Sequence, residues 1–235
     1  MKRSIFIILL IVFTIVICMF LFLPPVSKIM AWKSFSKDPE SPLNSMPIKR
    51  EIKINKSLQS KNTVELNYIS FDVAWENIWK HKSELSQISS GINHLITIRN
   101  KKNEKQGLVL YKWEKCLHSK ISNDTMCFQN HTFEKFKQML SITPEQLSVF
   151  DSKARSNEKL SLLIEKTFII PSKNKTIYKY SSEKINGFQI GIPSKNDIVK
   201  NFIFDNFDNL YEIDFHSMTQ EEIDFVLASV RFGKG

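Results

Sequence analysis

Glycine is scarce in this chain. Only 6 of its 235 residues are glycine, well below the average usage of about 7%. The spacings G-x-G-x-x-G, G-x-x-x-x-G-K-[ST] and G-x-S-x-G are all absent, and the first two require glycine where the backbone approaches a phosphate group. The sequence therefore leaves little room for a glycine-rich phosphate-binding loop.

Recognisable catalytic constellations are also missing. Neither H-E-x-x-H nor C-x-x-C occurs, and no two of the five histidines are spaced to share one helix face. His94 and His216 fall at the ends of predicted strands, where a solvated histidine is more common than a catalytic one. Asp72 and Glu76 are four residues apart, but a solvated face explains them better than a catalytic carboxylate pair. Without a nucleophile and base in view, we expect no enzyme and no cofactor.

One short acidic segment offers oxygen atoms of the kind that calcium binds. It lacks the glycine and the distant glutamate of a calcium-binding loop. Asx side chains also favour tight turns, so a hairpin turn is the better interpretation. The segment consists of Asp205, Asn206, Asp208 and Asn209.

A single long hydrophobic run lies near the N-terminus. Ile5 to Leu23 is 19 residues without a charge, and at about 1.5 Å per residue it matches the hydrocarbon core of a bilayer. Lys2 and Arg3 precede it, which predicts an N-in, C-out orientation. We therefore expect residues 1–27 to be a single-pass anchor in a bacterial inner membrane, with the C-terminal domain in the periplasm.

Two other interpretations of this run stay open. A cleaved signal peptide normally has an apolar core of about 7–15 residues followed by a small-residue cleavage site, and only a poor site ends at Ala31. A lipoprotein signal would use Cys18, but Ile17 precedes it where a small residue is needed. An uncleaved anchor is the favoured interpretation.

The basic charge is concentrated after the anchor. The formal net charge is +9, and residues 28–63 carry eight basic and three acidic residues, whereas residues 64–235 are nearly balanced. Residues 28–62 are also rich in proline, serine and lysine, which predicts a basic flexible tether. This distribution favours attraction to an anionic lipid surface over binding of nucleic acid.

Two of the three cysteines follow the predicted membrane segment. Cys116 and Cys127 lie in a polar segment of an exported domain, which favours a disulfide. Two alternatives stay open: free thiols, or a zinc site that adds His118 and His131. The spacing C-x-H-x8-C-x3-H is tighter at its first pair than usual structural zinc patterns, so the disulfide is preferred.

The hydrophobic periodicity predicts one α+β domain over residues 63–235, an antiparallel sheet with helices packed against it. The run 64–73 is expected to be one strand, and Trp75 and Trp79 one face of a short helix or turn. Further strands are expected at 94–99, 107–113, 177–180, 185–192, 198–204 and 210–215. Helices are expected from Thr132 to about Lys166, including one capped at Thr143, and after a capping box at Thr219–Glu222.

The C-terminal third of the chain has a particular order of parts. In GFQIGIPSKNDIVKNFIFDNFDNLYEIDFHSMTQEEIDFVLASVRF, the strand Phe188–Ile192 and two more strands precede the capped helix Gln220–Val230 and Phe232. This order resembles the end of a PsbP/Mog1-type α/β sandwich. Proteins of that type include membrane-anchored periplasmic immunity proteins, which neutralise toxins delivered by competing bacteria. The resemblance provides no functional motif, so it assigns no binding residue.

These patterns together favour a membrane-anchored extracytoplasmic binding protein. Its expected partners are the lipid bilayer and a protein, either a toxin neutralised as by an immunity-type inhibitor or an envelope component. The alternative is a structural or assembly factor of a cell-envelope complex, for which an anchor and tether would serve equally well.

Overall fold

The computed structural model describes residues 26–38, 41–82, 87–88, 92–113, 132–170, 175–182, 184–194 and 197–233. These residues form two compact units. The helical unit contains residues 26–46 and 138–175, and the sheet unit contains residues 47–137 and 176–233. The predicted anchor from Ile5 to Leu23 and the pair Cys116 and Cys127 lie outside the described residues. No helix within the described ranges combines the length and apolar character needed to span a bilayer.

The helical unit packs around a small apolar core. Its helices are α1 (Val26–Ser36), the end of α2 (Phe133–Ser141) and α3 (Lys153–Ile169), joined by 3-10 turns at Pro42–Asn44 and Pro144–Gln146. The buried core residues come from all of these parts or their flanks: Ile29, Leu43, Ile142, Leu147 and Leu163.

The helix predicted at Thr143 is only a 3-10 turn. Leu147 adopts an extended backbone conformation and ends it. Helix α3 starts later, at Lys153, because the Ser152 side chain accepts a hydrogen bond from the amide of Arg155 and caps the helix. Thr143 therefore starts a shorter element than its capping pattern suggested.

Residues 28–62, expected to be a tether, contain regular structure. Helix α1 and a 3-10 turn belong to the helical unit, and strand β1 (Pro47–Lys49) pairs with a strand of the sheet unit. The boundary between the units, at residue 47, also differs from the predicted domain start at residue 63. This segment is ordered by a small number of buried residues and by long-range hydrogen bonds. Neither feature produces a periodic pattern in the sequence.

The sheet unit is an α+β structure built on one large sheet. After β1 come β4 (Ile78–Lys82), β5 (Gln87–Ile88), β6 (Ile92–Asn100), β7 (Asn103–Trp113), β8 (Ile177–Ser181), β9 (Asn186–Ile190), β10 (Ile198–Phe204) and β11 (Leu210–His216). Their order is β1-β8-β9-β10-β11-β7-β6-β4, and β5 also pairs with β6. The α+β class is confirmed. The all-antiparallel expectation is wrong, because β1 and β8 run parallel and make the sheet mixed.

A second, three-stranded sheet corrects the prediction for residues 64–73. This run forms parts of two antiparallel strands, β2 (Asn62–Glu65) and β3 (Ile69–Val73), because the chain turns at 66–68 and the amide of Leu66 bonds to the carbonyl of Ile69. Strand β12 (Arg231–Phe232) completes this sheet. The helical expectation for Trp79 is also wrong, since Trp79 lies in strand β4.

Each face of the large sheet contacts one helix. Helix α4 (Gln220–Ser229), capped by the predicted Thr219–Glu222 box, shares a core with one face, which we call the α4 face. On the opposite face, the α2 face, Phe133 and Phe136 contact an aromatic cluster through centroid distances of 5.0–5.7 Å. The cluster on the sheet consists of Phe188, Phe202 and Phe204.

Candidate functional site

A groove of about 680 Å³ opens in the sheet unit at the N-terminal end of α4. A volume of this size is in the usual range for ligand pockets. Three segments meet there: the residues after β1, the turn after β9 and the residues around the start of α4. The lining includes Arg50, Tyr178, Ile192, Pro193, Met218 and Asp224.

The buried carboxylate of Asp224 organises the floor of this groove. Its Oδ1 accepts hydrogen bonds from Arg50 Nη1 at 2.6 Å and from Gln220 Nε2 at 2.9 Å. Its Oδ2 accepts one from the backbone amide of Lys53 at 3.1 Å. These contacts fix residues 50–53 on helix α4, although they stand more than 170 positions apart in the sequence.

A pair of glutamines extends this network. Gln189 is fully buried, and its Nε2 donates to the carbonyl of Gly191 and to Oε1 of Gln220. Gln220 Nε2 donates in return to Gln189 Oε1. Each side-chain NH₂ thus has two acceptors, so the amide donors of this pair are fully used.

Arg50 retains unused hydrogen-bonding capacity. Its side chain is 14% exposed, and its guanidinium carbon lies 5.9 Å from the ring centroid of Tyr178. Nη1 bonds to Asp224, but Nε and Nη2 are buried and have no hydrogen-bond partner among the described residues. The hydroxyl of Tyr180 is likewise buried without a partner in that part of the chain, and burial raises the pKa of this phenol.

A second polar group lies on the α2 face. Lys200 of β10 forms an ion pair with Glu212 and approaches Asp214 to 3.6 Å, both on β11. Trp113 Nε1 donates to Glu212 Oε2 at 2.9 Å. Burial, and then the negative charge of Glu212, raise the pKa of Asp214 to about 7. Two carboxylates on one strand face thus share the cation of Lys200.

An exposed row crosses five strands of the same face. The strand register places Trp79 opposite Arg99, Arg99 opposite Gly107, Gly107 opposite His216, and His216 opposite Ile198. At about 4.8 Å per strand the row spans about 19 Å. We call it the cross-sheet row: Trp79, Arg99, His216 and Ile198, with Gly107 between them.

Three side chains of this row, those of Trp79, Arg99 and Ile198, are exposed, and His216 is half-buried. Trp79 is 49% exposed and stacks on His81, with ring centroids 5.6 Å apart, and Ile198 is 44% exposed. A Cβ at Gly107 would stand 3.3 Å from Arg99 Cγ, so the absence of a side chain there gives the Arg99 stem space. Arg99 donates to the carbonyl of Glu104, and no carboxylate among the described residues forms an ion pair with it.

The candidate carboxylate pair is separated in the structure. Asp72 bonds to Arg231 and Thr63, whereas Glu76 pairs with Lys102. Among the described residues, the partners of the two carboxylates are different. The carboxylate-pair hypothesis therefore has no support in the geometry.

The two candidate histidines also lie apart. His94 on β6 contacts Thr97 and the ring of Tyr111. His216 belongs to the cross-sheet row, where burial and then the charges of Arg99 and Lys200 lower its pKa. A lowered pKa keeps His216 uncharged at neutral pH and makes it a hydrogen-bonding surface group.

The acidic segment at 205–209 forms the predicted hairpin turn. Asp205 Oδ1 accepts from the amides of Phe207 and Asn209, each at 2.8 Å. Asp208 adopts a left-handed conformation with φ 57°, which Asp tolerates better than most residues. The oxygens of Asp205 are thereby used by the turn itself.

No group of three or more histidine, cysteine, aspartate or glutamate side chains in the described ranges is arranged to hold a metal ion. The sulfur and imidazole groups of the zinc hypothesis, Cys116, His118, Cys127 and His131, lie outside those ranges. The disulfide, free-thiol and zinc interpretations all stay predictions.

No protein-family model, curated protein or solved structure matches this chain. The resemblance of the C-terminal third to PsbP/Mog1-type proteins therefore stays a prediction. Its order of three strands and a capped helix is nevertheless present in β9, β10, β11 and α4.

Sequence reasoning missed most of the groove. The sequence indicated Arg50 only as one of the basic residues of the predicted tether. No local pattern indicated Gln189 or Gln220, because their partners are distant in the sequence. A local pattern existed only for the capped start of α4.

Proposed function

We propose that this chain is a single-pass, membrane-anchored extracytoplasmic binding protein, most specifically an immunity-type inhibitor of a toxin that acts at the bacterial envelope. The anchor is the apolar run Ile5–Leu23, and the sheet unit carries the binding surface in the periplasm. The proposal for the anchor rests on the sequence alone, on its length and its flanking charges.

The cross-sheet row is the observation that supports a protein partner best. Tryptophan and arginine are the residues that most often dominate binding energy in protein interfaces. Here an exposed Trp79, an Arg99 without an ion-pair partner in the described chain and an exposed Ile198 lie in one row across the sheet. A flat row of this kind suits a partner surface better than a small substrate.

The test uses cells that lack the gene, challenged by sibling cells that carry the toxin encoded next to it. Wild-type protein should restore survival, and the double variant Trp79→Ala/Arg99→Ala should not, at equal membrane levels. Phe207→Ala is the matched control, since Phe207 is exposed on the β10–β11 turn and lies outside the row.

If deletion leaves survival unchanged, the immunity role is wrong. An envelope defect in the unchallenged deletion strain would instead favour the structural or assembly role. If the double variant protects as well as wild type, the cross-sheet row is not the binding surface.

A further inference from the structure

The groove at the start of α4 is a second candidate binding site, separate from the cross-sheet row. It lies on the α4 side of the sheet, whereas the row lies on the α2 face. Its walls combine the exposed Ile192 with Pro193 and the buried Met218, and its floor is polar. Apolar walls with a few fixed polar groups are typical of a ligand site.

The polar network around Asp224 has donors left over. Asp224 accepts three hydrogen bonds and is neutralised by Arg50, so it has little need of a further cation. The amide donors of Gln189 and Gln220 are all used. Within the described part of the chain, Nε and Nη2 of Arg50 have no acceptor.

This pair forms one edge of the guanidinium group. Its two parallel N–H donors match the two oxygens of a carboxylate and can bind them together. Buried charged donors without an acceptor are costly, so an acceptor at this edge would be stabilising.

We propose that the groove binds a carboxylate attached to an apolar group. The carboxylate bonds to the Nε and Nη2 edge of Arg50, and the apolar group packs against Ile192, Pro193 and Met218. Binding requires the guanidinium edge to turn towards the groove. Besides Arg50, Asp224 accepts hydrogen bonds from Gln220 and from the amide of Lys53.

This chemistry has two possible sources, the C-terminus of a polypeptide and a free small acid. The probes are N-acetylleucine, its isosteric amide N-acetylleucinamide, and 4-methylpentanoate, each titrated against the full chain in nanodiscs by saturation-transfer NMR. N-acetylleucine should bind. The amide should bind more weakly by a factor of about ten or more, because it loses the charge-assisted pair of hydrogen bonds.

The third probe separates the sources. Binding of 4-methylpentanoate as tight as that of N-acetylleucine supports a free acid, and much weaker binding supports a polypeptide C-terminus. Equal binding of N-acetylleucine and its amide overturns the proposal, as does no binding of either acid.

Variants locate the interaction. Arg50→Gln should reduce N-acetylleucine binding about tenfold, and Arg50→Lys should bind at an intermediate level because it retains charge but loses the two-donor edge. Lys105→Gln, which removes the same positive charge at an exposed position of β7 that does not line the groove, should stay within about twofold of wild type. If Arg50→Gln fails to fold by circular dichroism, the comparison of acid and amide on the unaltered chain decides. Unchanged binding by a folded Arg50→Gln variant contradicts the assignment.

Discussion

Gln189 and Gln220 hydrogen-bond to each other in both directions. Gln189 Nε2 donates to Gln220 Oε1 at 2.8 Å, and Gln220 Nε2 donates to Gln189 Oε1 at 3.1 Å. One residue belongs to strand β9 and the other begins helix α4, so the pair joins the helix start to the sheet. It also carries the hydrogen bond from Gln220 to Asp224, and through Asp224 it supports Arg50.

Replacement of Gln220 by leucine should therefore destabilise the protein by about 2–3 kcal/mol. The variant leaves the buried amide of Gln189 without two partners and removes one donor from Asp224, and each buried unsatisfied group costs about 1–3 kcal/mol. Chemical denaturation of the full chain measures the change. Gln138→Leu, at an exposed position of α2, is the matched control and should change stability by less than about 0.5 kcal/mol. Equal effects of the two variants would show that the pair adds nothing.

Lys166 of α3 is a buried charged residue whose hydrogen-bond partners are backbone carbonyls. It is fully buried in the helical unit, and its Nζ donates to the carbonyls of Leu43, Ser45 and Ile142 at 3.0, 2.7 and 2.7 Å. Burial lowers the pKa of this ammonium to about 8. The three carbonyls favour the charged form and oppose that shift.

The variant Lys166→Met should unfold more easily by about 2–4 kcal/mol at neutral pH, because three carbonyls lose their donor. In the wild-type chain the folded state releases the Lys166 proton near pH 8, whereas the unfolded state retains it to about pH 10.4. The unfolded state then binds more protons, so the Lys166 contribution to stability should rise between about pH 8 and 10. Subtraction of the Lys166→Met profile isolates this rise, and parallel profiles would contradict the lowered pKa of Lys166.

Gly187 of β9 lies in close contact with the backbone of β10 and with the ring of Tyr180. A Cβ there would lie 2.4 Å from the carbonyl oxygen of Phe202 and 2.5 Å from the hydroxyl of Tyr180. Gly187→Ala should therefore cost at least about 3 kcal/mol, since backbone of β10 would have to move. Thermal unfolding measures the loss. Gly187→Ala combined with Tyr180→Phe should remain destabilised, because the clash with the Phe202 carbonyl persists.

The sequence predicted the regular parts of the fold and little of the groove. Strand Ile198–Phe204 and the capping box at Thr219 were predicted because alternation and capping are local signals. Strand β1 and the role of Arg50 were not predicted. Strand β1 pairs with β8 and Arg50 with Asp224, and both partners are more than 100 positions away in the sequence. Trp79 was assigned helical spacing with Trp75, but one pair four residues apart cannot distinguish a helix from a turn followed by a strand.

Ionisation of Asp214 should lower the free energy of unfolding as the pH rises from about 4 to 7. Its folded pKa is raised to about 7, whereas an unfolded aspartate titrates near 3.9. The folded state therefore binds more protons in this window, and its stability is lost as the proton leaves. Asp214→Asn should remove this slope and stabilise the protein at pH 8 by a few kcal/mol, because it also removes repulsion with Glu212. Denaturation across pH 4–8 measures both effects, and an unchanged slope in the variant would be inconsistent with a protonated Asp214.

The start of α1 sets the distance between the helical unit and the proposed anchor. Only Pro24 and Pro25 separate the apolar run ending at Leu23 from α1, which begins at Val26. The three Cα–Cα steps from Leu23 to Val26 reach at most about 11 Å, and Ile29, one turn further along, is buried in the core of the helical unit. If residues 5–23 cross the bilayer, the core at Ile29 lies within about 15 Å of the end of the span.

A fluorescent amino acid at Met30, which is 67% exposed, should therefore be quenched by lipids that carry a quencher in the headgroup region of nanodiscs. A flexible Gly/Ser insertion of about 15 residues between Pro25 and Val26 adds about 20 Å of reach, so it should reduce this quenching several-fold while the protein stays membrane-bound. Extraction at alkaline pH checks the anchor separately: release of the unmodified chain would contradict the anchor itself. Equal quenching with and without the insertion, in protein that resists extraction, would show that the helical unit is not held at the membrane by its short connection.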